Sequence, residues 1–206
     1  MNTENEVPPA TSRWWPYQEA LAYRMRLMAG RPPATPALSG LRAVFLTEAN
    51  IQRLFAGEPA LSRRFLRFVR QGAIGVAIVH GRTWLTYAWM ATPEGRQPYH
   101  LPGAMAGKYW IYYCHTRAPY RGRGLIAVAV KRLLAEASTR SQLQAVEVYC
   151  DVLPDNMASR RAFLRLGFQP AGKVATWRLP KSSLVMGTWD EAATHDSAPM
   201  TYAKSG

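Results

Sequence analysis

A short segment with two glycines and two arginines constrains the fold of this chain more than any other feature. Arg121-Gly122-Arg123-Gly124 follows a strand predicted at residues 108–116 and opens a helix predicted at residues 122–137. Glycines let successive backbone N–H groups converge on one concavity, and a helix N-terminus adds about half a positive charge. Arginines add charge-assisted hydrogen bonds. The segment predicts a phosphate site at a strand-to-helix junction, although a plain basic turn has the same composition.

Strand and helix signals alternate along the chain on both sides of this junction. Short apolar or aromatic runs predict strands, and apolar spacing of three and four residues predicts helices. The predicted strands are residues 41–46, 75–80, 83–91, 108–116, 145–152 and 173–179. The predicted helices are residues 16–28, 48–56, 60–71, 122–137 and 156–166. This order is typical of an α/β (α+β) fold with helices packed on a sheet, although many folds share it.

The first predicted helix and the residues after it form an extension to the main domain. Leu21, Met25 and Met28 stand at helical spacing, and a segment rich in proline follows at residues 30–39. A length of 206 residues suits about one domain. We therefore predict three parts. They are an N-terminal extension at residues 1–40, one domain at residues 41–190 and a polar tail at residues 191–206.

An excess of basic residues gives the chain a formal net charge of +13 and a pI of about 10.3. A field of this sign attracts nucleic acid, anionic membranes, acidic proteins or phosphorylated cofactors. Arg63, Arg64, Arg67 and Arg70 recur at helical spacing, which indicates either a docking face for an acidic partner or an ordinary solvated face. A compositional bias towards arginine explains the charge equally well.

Targeting and metal-binding signals are weak in this sequence. The first ten residues have no apolar stretch, and the longest apolar run, residues 73–79, is too short to span a bilayer. The two cysteines, Cys114 and Cys150, lack the Cys/His spacing of a metal site. We expect a cytoplasmic protein that binds no metal and does not enter a membrane. The oligomeric state stays open.

A second segment with binding potential lies after the next predicted strand. Asn156 can cap the following helix and present an amide to a ligand, although a capped helix alone has the same pattern. Ser159 and Gly167-Phe168 follow it. Together with Tyr120-Arg121-Gly122-Arg123-Gly124-Leu125, these residues resemble the two cofactor motifs of the GNAT superfamily of CoA-dependent N-acetyltransferases. The resemblance covers about residues 41–180.

The resemblance implies a mixed, splayed β-sheet flanked by helices. The strands at residues 108–116 and 145–152 would diverge, with the pantetheine arm of an acyl-CoA co-substrate between them. The N–H groups of residues 122–126 would hold the pyrophosphate, and backbone groups near Cys114 and Thr116 would pair with pantetheine amides. The implied cofactor-binding residues are Cys114, Thr116, Arg121, Gly122, Arg123, Gly124, Leu125, Ile126, Asn156 and Ser159.

The sequence departs from the GNAT pattern at two positions. Ile126 occupies the last glycine or alanine slot when the motif is read from Arg121, and a reading two residues earlier places Pro119 in the first slot. Many relatives carry a tyrosine general acid where this chain has Phe163, which cannot donate a proton. The thiol of CoA, with a pKa of about 8.5 by analogy with cysteine, can still depart as a thiolate.

A general base is harder to assign, because residues 110–116 include no Asp or Glu where relatives often place one. His115 is the best-placed titratable group, since an unperturbed pKa of about 6.5 suits proton transfer, although a packed histidine is the plainer interpretation. Weaker candidates are Tyr112, Tyr113 and Asp151. Cys114 and Cys150 are expected to be buried free thiols, with an acyl-cysteine intermediate as the alternative.

These features predict an enzyme that transfers an acyl group, with acetyl as the expected group, from a CoA thioester to a small amine by direct attack. Two other functions stay open. An acidic acyl carrier protein could deliver the acyl group, or an aminoacyl-tRNA could accept it, as the positive charge allows. A chain without the tyrosine and the carboxylate could also bind acyl-CoA without catalysis.

Overall fold

The computed structural model describes residues 17–34, 39–98, 107–141, 143–178 and 185–190, and these form one eight-stranded sheet with four helices. The strands are β1 (Tyr17–Met28), β2 (Arg42–Leu46), β3 (Ile74–His80), β4 (Thr83–Ala91), β5 (Tyr109–Thr116), β6 (Ala145–Val152), β7 (Gln169–Arg178) and β8 (Val185–Asp190). The helices are α1 (Glu48–Leu54), α2 (Pro59–Arg70), α3 (Leu125–Arg140) and α4 (Met157–Arg165). The strand order is β2-β3-β4-β5-β6-β1-β7-β8. This mixed sheet flanked by helices confirms the predicted fold class.

Helices pack on both faces of the sheet and create two cores, and a third, smaller cluster of buried residues comes from β1, β4, β5, β6 and β7. On one face, Leu133 of α3 and Phe163 of α4 pack with Val76 and Ile111. On the other face, residues of α1 and α2 such as Phe65 pack with the aromatic side chains of β4. Successive side chains of a strand point to opposite faces, so β3, β4 and β5 contribute to both cores. Strands β3 and β4 are therefore buried on both faces along most of their length, and β5 is buried as far as Ile111.

The helix predicted at residues 16–28 is wrong, because this segment is strand β1, which pairs antiparallel with β6 on one side and β7 on the other. The prediction rested on Leu21, Met25 and Met28, and the spacing of four between the first two fits a helix face and a strand face alike. Tyr23 and Leu27 are buried in the core against α3, and Met25 between them packs against it. Met28, which the helical interpretation places inside, is 57% exposed. Alternation with a period of two therefore describes this segment.

The remaining predicted elements lie within a few residues of their observed positions. Thr47 caps α1, with its hydroxyl accepting from Asn50 N–H and the Asn50 side chain accepting from Thr47 N–H. The helix predicted from residue 122 begins at Leu125, because residues 122–124 form the turn before it. Strand β8 and a 3₁₀ turn at Ala118–Tyr120 were not predicted.

The predicted division of the chain is only partly covered by the described residues. Strand β1 lies in the same sheet as the strands after residue 40. The tail predicted at residues 191–206 lies outside the described residues, as do parts of the predicted linker and of the loop before β5. The boundaries at residues 40 and 190 stay a prediction. No helix in the described ranges is both long enough and apolar enough to cross a membrane.

The sheet opens between β5 and β6, the one parallel pair among the described strands. Their pairing covers three residues of β5 and ends at Ile111 opposite Cys150. Beyond this point β5 continues to Thr116 paired with β4 alone. The result is the splayed sheet that the resemblance implies, with an opening between Tyr112–Thr116 and the end of β6.

The alternation along β1 predicts opposite outcomes for two adjacent substitutions. Leu27→Ala removes a side chain that is 8% exposed and should lower the free energy of unfolding by about 2–3 kcal/mol. Met28→Ala removes an exposed side chain and should change it by less than about 0.5 kcal/mol. Urea denaturation of both variants measures the two values. A larger loss of unfolding free energy for Met28→Ala than for Leu27→Ala would restore the helical interpretation of residues 16–28.

Candidate active site

A β-bulge in β5 shapes the opening between β5 and β6. Trp89 of β4 pairs with Tyr112 and Tyr87 pairs with His115, so two residues of β5 face one residue of β4. Within the bulge, Tyr113 has a positive φ of 49°. A bulge bends a strand and re-aims its side chains. The bend carries the last residues of β5 away from β6 at the level where their pairing ends.

The turn between β5 and α3 forms a cradle of backbone N–H groups. Gly122 and Gly124 have φ of 76° and 71°, a left-handed conformation that favours glycine. The N–H groups of residues 122–126 donate to no described backbone carbonyl, and Ala127 N–H is the first to bond within the turn, to Gly124. Such unpaired N–H groups at a helix N-terminus form an anion site. The predicted phosphate loop therefore has the required backbone geometry.

The side chains around this cradle divide into two kinds. Leu125 is buried and Ile126 is half-buried against the core, so each offers the cradle only its N–H group. Arg121 and Arg123 are exposed and positively charged. Arg121 Nε donates to Thr116 O at 3.2 Å, which ties the loop to the end of β5. Because the Leu125 and Ile126 side chains face the core, the Ile126 departure from the family pattern leaves the cradle intact.

The second predicted segment forms the N-terminus of α4. The Asn156 side-chain oxygen accepts from Ser159 N–H at 3.1 Å, which confirms the predicted cap. Because the oxygen is engaged, Asn156 has its amide N–H groups to offer a ligand. Phe163, which replaces the family's tyrosine, is buried with its ring 5.2 Å from the Phe168 ring. Phe163 is a core residue and cannot supply a proton.

His115 lies on the face of the sheet that α1 and α2 cover. Its ring is 5.6 Å from the Tyr87 ring and 5.9 Å from the Trp84 ring. Burial lowers the pKa of His115 below its ordinary value, and the Arg121 charge lowers it further. Glu58 opposes the shift, and Arg117 adds to it. The lowered pKa keeps the imidazole neutral near pH 7, the state that can accept a proton.

A carboxylate that the sequence analysis missed stands close to His115. Glu58 Oε1 accepts from Trp84 Nε1 at 2.8 Å and from Arg117 Nη2 at 3.0 Å. The Arg117 guanidinium in turn lies 4.2 Å from the Trp84 ring centre. Glu58 immediately precedes Pro59 at the start of α2. The packing of α2 against the sheet therefore places the Glu58 side chain next to β4 and β5. No signal in the sequence places Glu58 near His115, because the two residues are 57 positions apart.

Aromatic side chains of β5 form the wall between α2 and the opening. The Tyr113 ring stacks 5.8 Å from the Tyr87 ring, and its hydroxyl accepts a hydrogen bond from Arg64. The Arg64 guanidinium also lies 4.9 Å from the Tyr113 ring centre. Burial raises the pKa of Tyr112 above its ordinary value. Tyr112 therefore keeps its proton, and as a catalytic group it would be a donor and not a base.

The thiols near the opening are poor nucleophiles. Cys114 is half-buried and Cys150 is buried, and both are free. Burial raises the pKa of Cys114 to about 12, and the Asp151 charge adds to the shift. Burial also raises the pKa of Cys150 well above its ordinary value. Because only a thiolate attacks efficiently, these shifts disfavour an acyl-cysteine intermediate.

Hydrogen bonds fix the end of β5 against β4. Thr86 Oγ1 donates to His115 O at 2.7 Å, and because it has one proton, it accepts from Thr116 Oγ1 at 2.8 Å. Arg117 N–H donates to Leu85 O at 2.9 Å. The His115 carbonyl and the Thr116 hydroxyl are therefore held against β4, while β6 lies apart from both residues.

The arginines of α2 do not form one docking face. Arg64 is half-buried against Tyr113, and Arg70 Nε forms an ion pair with Glu48 at 2.9 Å. Arg63 and Arg67 are exposed. Half of the predicted face is therefore committed to contacts within the protein. Among the described residues, no three His, Cys, Asp or Glu side chains cluster as metal ligands would.

The contacts of Glu58 lead to a prediction about the charge of His115. Glu58→Gln removes the negative charge that raises the pKa of His115 and keeps an oxygen for Trp84 Nε1, so this pKa should fall further. An NMR titration of the imidazole protons measures it. Glu48→Gln removes the same charge from the exposed Arg70 pair and should leave the His115 titration unchanged. Identical titrations in the parent and Glu58→Gln would mean that Glu58 does not act on His115.

The chain matches a known protein family over most of this architecture. A family model described as "Acetyltransferase (GNAT) domain" matches residues 47–169, which is more than half of the chain. The match includes β5, the glycine cradle, α3, β6 and α4. No curated protein matches the chain.

Solved structures show the same fold at low sequence identity. An acetyltransferase of the GNAT family from Novosphingobium aromaticivorans is 18% identical, with a TM-score of 0.50 over 77% of this chain and 63% of that one. A GCN5-related N-acetyltransferase-like protein from Streptococcus suis is 14% identical, with a TM-score of 0.50 over 79% and 62%. A GNAT acetyltransferase from Colwellia psychrerythraea is 12% identical, with a TM-score of 0.53 over 80% and 57%. The chain thus spans about 60% of the length of these relatives.

Proposed function

The chain belongs to the GNAT acetyltransferase family and is a transferase, and we propose that it moves an acyl group, expected to be acetyl, from CoA to a small amine. The observation that carries this proposal is the opening between β5 and β6, which ends at a cradle of unpaired N–H groups. A narrow opening suits the extended pantetheine arm, and the cradle suits the pyrophosphate. The two features lie on successive elements, so one CoA molecule can use both.

Each predicted cofactor residue has a role in this proposal. The N–H groups of residues 122–126 bind the pyrophosphate, and the exposed side chains of Arg121 and Arg123 add positive charge beside it. The backbone of Cys114 and Thr116 pairs with the pantetheine amides in place of the missing β6 partner. At the opposite wall of the opening, Asn156 offers its amide N–H groups and Ser159 its hydroxyl.

The reaction is direct attack of the amine on the thioester carbonyl carbon. The new C–N bond gives a tetrahedral oxyanion, which collapses as the C–S bond breaks and the electron pair leaves on the CoA sulfur as a thiolate. His115 accepts the proton of the amine, directly or through a water molecule. Backbone N–H groups near Thr116 stabilise the oxyanion, a contribution of about 10²–10³ in rate for one such donor. Tyr112, which burial keeps protonated, is the proton donor to the thiolate.

The amine acceptor is expected to enter from the α1 and α2 side of the sheet. His115 faces this side through its contacts with Tyr87 and Trp84, whereas α3 and its cradle begin on the opposite side. Donor and acceptor therefore approach the thioester from different faces. CoA is favoured over an acyl carrier protein as the donor, and a small amine over aminoacyl-tRNA as the acceptor, because Arg64 and Arg70 of α2 are already engaged. The two free thiols suit the reducing cytoplasm, which is the proposed location.

The cradle predicts how CoA affinity responds to a substitution within it. Gly124→Glu adds a side chain and a negative charge where the pyrophosphate binds, and should weaken CoA binding at least about tenfold, or about 1.4 kcal/mol. Isothermal titration calorimetry measures this loss. Gly30→Glu is the matched control, because Gly30 has a similar φ of 68°, equally open surroundings and a hydrogen bond to Ser138 at the far end of α3. Equal affinities in the two variants would remove the cofactor assignment.

The role of His115 predicts a change in rate and in pH dependence. His115→Ala should lower kcat by about 10²-fold or more. In the parent, the rate should fall as the pH falls through the lowered pKa of His115, below about 6.5, because protonation removes the base. The variant should lose this acidic limb. Tyr112→Phe should lower kcat less than about tenfold, because CoA can leave as a thiolate. A near-normal rate and profile for His115→Ala would assign the proton to another group.

A further inference from the structure

A cavity with a volume of about 300 Å³ lies at the β2 edge of the sheet. Its size is at the lower end of the range of small-molecule sites, about 300–1,000 Å³. The side chains that define its chemistry are Arg42 and Val44 of β2, Arg53 and Leu54 of α1, Val79 of β3 and Arg82 of the turn before β4. The cavity thus combines three guanidinium groups with three aliphatic side chains.

The positive charge of this cavity is not neutralised by neighbouring side chains. Arg42, Arg53 and Arg82 come from three different elements, are exposed, and form no ion pair with any described carboxylate. Asn50 also lines the cavity, but its side chain is bonded to the main chain of Thr47 and Phe45. The three arginines are therefore available to an anion from outside.

The cavity is separate from the opening between β5 and β6. Strand β2 is the edge strand, and three inter-strand spacings of about 4.8 Å, or about 14 Å, separate it from β5. Val79 belongs to the core under α1 and α2, on the opposite face of the sheet from α3. A ligand in the cavity therefore leaves the glycine cradle free.

The arrangement of charge selects the chemistry of the ligand. A guanidinium group matches the oxygen geometry of a carboxylate or a phosphate, but one carboxylate occupies a single guanidinium. A phosphate monoester offers three acceptor oxygens and nearly two negative charges to the three arginines. A nucleic-acid backbone instead requires a row of cations along a groove, whereas these converge on one cavity. We propose that this cavity binds a small phosphate ester, with its phosphate on Arg42, Arg53 and Arg82 and its organic part on Val44, Leu54 and Val79.

Calorimetry with two probes and two charge-matched variants tests the proposal. Adenosine 5′-monophosphate and inorganic phosphate are titrated into the protein in excess dephospho-CoA, which fills the glycine cradle through its pyrophosphate but carries no phosphate monoester to compete for the cavity. Arg53→Gln with Arg82→Gln removes two charges from the cavity. Arg63→Gln with Arg67→Gln removes two exposed charges from α2, outside the cavity. All four side chains are exposed, so both variants should melt at the temperature of the parent.

The cavity variant should bind adenosine 5′-monophosphate at least about tenfold more weakly than the parent, and the α2 variant within about twofold. The parent should bind inorganic phosphate more weakly than the ester, because phosphate lacks the organic part. Three results would overturn the proposal: equal weakening in both variants, no saturable binding of either probe to the parent, or binding of a short RNA without binding of the ester. These results do not bear on the proposed CoA site, because CoA binding is tested by the separate titration of Gly124→Glu.

Discussion

The loss of pairing between β5 and β6 beyond Ile111 and Cys150 is the constraint on which the rest of the site depends. Buried backbone groups normally find hydrogen-bond partners, so a parallel pair that opens inside a domain leaves groups for a ligand to satisfy. In the proposed function, the pantetheine arm lies in the opening among these groups. The loop from Arg117 to Gly124 begins where β5 ends, so the same divergence places the phosphate cradle at the end of the opening.

The bulge at Tyr113 produces this divergence, and α2 supports it. A left-handed backbone costs a residue other than glycine about 1–2 kcal/mol. The Tyr113 side chain offsets this cost through Arg64, which bonds its hydroxyl and covers its ring, and through stacking on Tyr87. The same helix begins next to Glu58, which reaches Trp84. Helix α2 and the residue before it thus contact both Tyr113, which shapes the opening, and Trp84, which lies beside His115. The helix therefore does more than present the solvated face that its arginines suggested.

Local signals predicted much of this arrangement, and long-range packing determined the rest. The glycine cradle and the Asn156 cap are backbone requirements of a few adjacent residues, so the sequence located both. Strand β1 was missed because Leu21 and Met25, four positions apart, fit a helix as well as a strand, and its partners in β6 lie more than a hundred positions away. Glu58 was missed because only the packing of α2 brings it to His115. The cavity at the β2 edge likewise draws its arginines from separate elements.

Amide hydrogen exchange with and without CoA tests the central claim most directly, because it reports on the backbone groups that the divergence leaves for the cofactor. The account predicts that CoA slows exchange at residues 122–126 and at the end of β5 around Cys114 and Thr116. Exchange in α1 and β2 should stay the same. Protection that appears elsewhere, with unchanged exchange at residues 122–126, would contradict the claim that the opening between β5 and β6 is the cofactor site.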